Sequence, residues 1–157
     1  MTNGLPRIAF TAIAFTILSI TAQAATQRYS AQLKGSAVVP PNNSVATGTF
    51  VATFDSETKA MTYTLQFERL TGPATSAHIH GPAGKGANAG VVLPVGNNPV
   101  SPVTGSVTLT DGQIKDLQAD KWYVDVHTSA YSGGEIRGQI VKSLNTAKNA
   151  GGGGKQK

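Results

Sequence analysis

The chain has 157 residues, no cysteine, and 13 basic against 8 acidic residues, a formal net charge of +5. The absence of cysteine excludes disulfides, thiolate metal sites and a lipidated cysteine near the N-terminus. The basic excess lies at the ends, with Arg7 at the front and Lys142, Lys148, Lys155 and Lys157 at the back. The middle is therefore close to neutral and lacks the basic stripe that nucleic-acid binding requires.

The N-terminal segment predicts an export signal. Arg7 closes a short polar stretch, Ile8 to Ile20 is an uncharged apolar run, and Ala22-Gln23-Ala24 supplies small residues for cleavage after Ala24. The apolar run is shorter than the roughly 20 residues a spanning helix needs, and no second one follows. The expectation is a signal peptide over 1–24 and a secreted or periplasmic product with no transmembrane segment after cleavage. Residues 142–157, with four consecutive glycines and no aromatic residue, read as a disordered Gly/Lys-rich tail. One domain, 25–141, remains, long enough to bury a core of its own.

Within it the periodicity is that of strands. Arg28 to Lys34 opens the series. Thr47 to Phe54 and Met61 to Phe67 alternate with period two around the turn residues Asp55-Ser56-Glu57-Thr58-Lys59, a hairpin. Strands are further expected at Thr75 to His80, Gly90 to Val95, Gly105 to Leu109, Lys121 to Thr128 and Glu135 to Val141, with Gly and Pro marking the gaps. Thr110, with Gln113 three residues on, suits a capping box and predicts a single short helix over Asp111 to Ala119. The pattern is all-β: an antiparallel Greek-key or immunoglobulin-like β-sandwich or barrel with one short crossover helix.

All three histidines fall in two of these strands. In Ala77-His78-Ile79-His80 the apolar residues share one face and His78 and His80 the other. In Trp122-Tyr123-Val124-Asp125-Val126-His127 the core face is Trp122, Val124 and Val126, and Tyr123, Asp125 and His127 lie opposite. If the two strands are neighbours, three imidazoles converge on polar, accessible faces, with Asp125 placed to add a ligand or orient His127. Such a set suits copper first and zinc second. Glu135 and Arg137 share a face of the last strand, as an ion pair or as outer support for the histidines together with Tyr123. The glycine-rich loop Gly81 to Gly90 lacks the Gly-Lys-Ser/Thr ending of a phosphate loop and reads as a flexible connection.

Two separated blocks, Ala77-His78-Ile79-His80-Gly81-Pro82-Ala83 with Gly90-Val91-Val92, and Trp122-Tyr123-Val124-Asp125-Val126-His127-Thr128 with Tyr131 and Gly134-Glu135-Ile136-Arg137-Gly138-Gln139-Ile140, resemble the CHRD domain. That domain is named for its repeats in chordin and is widespread in secreted bacterial proteins. The opening Tyr29-Ser30-Ala31-Gln32-Leu33 and Val38-Val39-Pro40-Pro41 resembles its usual start. The resemblance implies an extracellular all-β domain and no defined activity.

Three functions follow as expectations. The first is a non-catalytic metal-binding domain built on His78, His80, His127 and Asp125. The second is an interaction or structural module with an extracellular protein partner and no metal. The third is a copper enzyme similar to copper–zinc superoxide dismutase, which the missing fourth histidine, zinc loop and disulfide disfavour.

Overall fold

A computed structural model describes residues 26–143, together with Met1. The expected signal peptide and nearly all of the expected tail lie outside the described residues. Eight strands and one helix follow in chain order. They are β1 (Thr26–Lys34), β2 (Thr47–Asp55), β3 (Ala60–Glu68), β4 (Ala74–His80), β5 (Val91–Asn97), β6 (Val103–Thr108), α1 (Asp111–Gln118), β7 (Trp122–Thr128) and β8 (Ile136–Lys142). A 3-10 turn, Gly35–Ala37, follows β1.

All eight strands form one sheet, in the order β5-β4-β7-β8-β1-β2-β3-β6, and every neighbouring pair is antiparallel. The two edge strands, β5 and β6, are consecutive in the chain and joined only by residues 98–102. A linker of that length reaches roughly 20 Å when extended, whereas seven strand spacings laid flat would need roughly 34 Å. The sheet must therefore curl until its edges approach, which makes it a nearly closed barrel. Curling turns one face of every strand inward. On that side Phe50, Phe54, Met61, Leu65, Ile79, Trp122, Val124, Val126, Ile136 and Ile140 are almost fully buried. Gly138 shows how tightly β8 crosses β1, because a Cβ there would sit 2.6 Å from the Gln32 carbonyl oxygen.

The helix forms where expected. The Thr110 side chain accepts from the Gln113 N–H and the Gln113 side chain accepts from the Thr110 N–H, so the capping box is complete. Leu117 buries completely and Ile114 packs at the edge of the core. The helix bridges β6 at one edge of the sheet to β7 in its other half, and so brings β7 beside β4.

Candidate functional site

The β4–β7 pairing brings the histidines together. In register, His78 faces Asp125, His80 faces Tyr123 and Ser76 faces His127. With Ala77, Ile79, Val124 and Val126 turned to the core, the side chains of His78, His80, Asp125 and His127 must share the other face. On its other side β4 pairs irregularly with β5, with shifts on either side of the His78–Ile79 pair. Bulges of this kind re-aim side chains next to functional sites.

The four side chains offer ligand atoms that all lie within 4.8 Å of one another. His78 Nδ1 is 3.3 Å from His127 Nε2 and 3.9 Å from Asp125 Oδ1. His127 Nε2 is 3.0 Å from Asp125 Oδ1, and His80 Nε2 is 3.1 Å from the same carboxylate. Metal–nitrogen bonds of about 2.0 Å in a tetrahedron place ligands about 3.3 Å apart, so these separations resemble the edges of a coordination polyhedron.

The outer hydrogen bonds set the tautomers. His80 Nδ1 faces the Ala89 carbonyl at 3.0 Å, and His127 Nδ1 faces the Ser132 carbonyl at 2.9 Å. A nitrogen facing a carbonyl carries the proton, which leaves Nε2 of a neutral ring as a lone pair. Both Nε2 atoms then point at the Asp125 carboxylate, lone pair against lone pair. Only an added proton or a cation between them resolves that contact. Electrostatics agree. Hydrogen bonding to Asp125 is the main cause that raises the His127 pKa above the ordinary histidine value. Burial lowers that of His78. Burial pushes the Asp125 carboxyl up, but hydrogen bonds from His127 and His80 outweigh it and the net shift is downward.

Loops cover the site more than strand alternation predicts. Asp125 and Tyr123, assigned to a polar face, are only 5% and 3% exposed, Arg137 of the last strand is 3% exposed, and the histidines are half-buried. The Gly81 to Gly90 loop contributes Asn88 and Ala89 to that cover, and it is braced, not free. Arg137 donates to the Ala87 carbonyl at 2.7 Å and to Asn88 Oδ1 at 3.0 Å, while Asn88 Nδ2 donates to the Val39 carbonyl. The Tyr123 hydroxyl meets both the N–H and the carbonyl of Ala89. Arg137 also lies 3.6 Å over the Tyr123 ring, and Tyr123 stacks on His80 with centroids 4.8 Å apart. Tyr123 and Arg137 thus hold the segment whose Ala89 carbonyl orients His80. Behind His127, the turn carrying Ser132 needs Gly134, whose φ of +112° is left-handed.

Glu135 stands elsewhere. Among the described residues no ion pair joins it to Arg137, and it touches none of the histidines. It is fully buried and accepts from the hydroxyls of Ser44, Thr71 and Thr128 and from the Thr71 N–H, at 2.7–2.9 Å. Short polar side chains from two separate loops and from the end of β7 close around it, and strand periodicity contains no signal for that. Trp122, placed on the core face by alternation, is fully buried.

The sequence model of the CHRD domain matches residues 29–140, from β1 to the end of the core in β8. The chain belongs to the CHRD domain family. The match takes in both histidine strands and the braced loop, so the candidate site lies wholly inside the CHRD domain. No curated protein and no solved structure matches the chain. Among the described residues no helix is long and apolar enough to cross a membrane.

Proposed function

We propose that this CHRD domain is a transition-metal-binding domain of an exported protein, with copper(II) the preferred metal and zinc(II) the second. His78, His80 and His127 are its nitrogen ligands and Asp125 its oxygen donor. The observation that carries this reading is the pair of Nε2 atoms aimed at one carboxylate while their Nδ1 atoms are committed to carbonyls. That geometry asks for a cation at the centre of the cluster. Copper leads because nitrogen-rich sites favour it and it heads the divalent affinity order. Ala89 and Ser132 supply the outer carbonyls that fix ligand orientation in histidine metal sites. Binding without catalysis is the preferred reading.

The test is a competitive titration of purified mature protein with copper(II) and with zinc(II), beside His78→Ala and His127→Ala. One metal per chain is expected in the parent and none at comparable affinity in either variant, because each variant removes a ligand from a different strand. Weak uptake that the variants leave unchanged would remove the metal and return the domain to the reading of an extracellular interaction module.

A further inference from the structure

We propose that the cavity beside the histidines binds one small inorganic anion, which completes the coordination of the metal. The inference rests on the metal-binding reading and adds to it the class of exogenous ligand. A cavity of about 190 Å³ is lined by His80, Asp125 and His127, three of the four metal donors, and by Arg137, Asn88 and Tyr123. Its size lies below the roughly 300–1,000 Å³ of pockets that hold organic ligands, which restricts the occupant to a few atoms.

Charge decides the sign of that occupant. Arg137 is almost fully buried, and among the described residues no carboxylate lies within ion-pair distance of it. Its two hydrogen bonds go to neutral acceptors, Ala87 O and Asn88 Oδ1, and leave further N–H donors of the guanidinium fork for a ligand. The charges of Asp125 and Arg137 offset each other across the cavity. A divalent metal leaves two uncompensated positive charges in a largely buried space, and buried charge is costly unless it is paired. A small anion entering from the cavity meets the metal on one side and Arg137 on the other, and removes part of that excess. Glu135, the nearest other acid in sequence, is spent on its hydroxyl donors and does not line the cavity.

Azide is a suitable probe. Copper-loaded protein in chloride-free, non-coordinating buffer is titrated with azide and followed by the azide-to-copper charge-transfer absorption and by the copper EPR spectrum. The expected result is saturable binding of one azide per copper, weakened at least tenfold in Arg137→Met and less in Arg137→Lys. An unchanged spectrum in copper-loaded parent protein overturns the anion site and leaves the metal site standing. Failure of the parent protein to take up copper overturns both. If Arg137→Met does not hold copper, a size series in the parent protein decides. Binding of azide with exclusion of benzoate is expected, and equal affinity for the two overturns the assignment.

Discussion

Asp125 is the residue on which the cluster turns. It sits opposite His78 in register, next but one to His127 along its own strand, and within 3.1 Å of His80. Its hydrogen bond raises the His127 pKa, and in the proposed metal-binding reading the same carboxylate is a ligand, so protons and metal would compete for one place. Asp125→Asn should therefore act in two opposite directions. Metal affinity at neutral pH should fall by about tenfold or more. The acid edge, the pH below which affinity begins to fall, should move lower, because the group that raises the His127 pKa is gone. Affinity measured across a pH series checks both, and an acid edge that stays in place would contradict the role given to Asp125. The three histidines and Asp125 were legible in the sequence because strand alternation places them. The carbonyls of Ala89 and Ser132 were not, since backbone groups leave no mark in residue type.

At the scale of elements, loops decide how the site is enclosed. Strand bounds follow the alternating pattern closely: the hairpin of β2 and β3 extends by one residue at its ends, and β5 and β6 shift by one or two. Alternation misjudged Tyr123 and Asp125 as accessible because it describes which way a side chain points and not what returns to cover it. Glu135 is the element-scale counterpart, joining the segments around Ser44, Thr71 and Thr128. Glu135→Gln keeps the shape but turns an amide donor toward hydroxyl donors. It should cost about 2–3 kcal/mol, read as a lower urea midpoint with an unchanged slope. Burial works to raise the Glu135 carboxyl, but hydrogen bonds from Thr128, Ser44 and Thr71 outweigh it and hold its pKa below the ordinary glutamate value. The stability it contributes is thus present above the unfolded value of about 4.3 and is lost as pH falls through the depressed folded value. The variant should lack that acid-dependent component. A midpoint equal to the parent's at neutral pH would show that the hydroxyl cage adds nothing.

At the scale of the whole molecule, the curled sheet supplies the stability that disulfides supply in many small domains. With no cysteine available, stability rests on one continuous core. That core includes Trp122, Phe50, Phe54 and Leu117. The all-β class, the single helix and its cap were readable from periodicity and capping chemistry. The strand order was not, because nothing in residues 98–102 announces that they join the two edges, and nothing in α1 announces that it carries β7 to the side of β4. Yet this order is what makes a site out of scattered histidines. The measurement that tests the convergence most directly is pulsed EPR of the copper(II)-loaded protein, which counts coordinated imidazoles through their remote nitrogens. Three imidazoles are expected in the parent protein and two in any single histidine variant that still retains copper. A spectrum showing one imidazole or none would contradict the claim that β4 and β7 together build a metal centre.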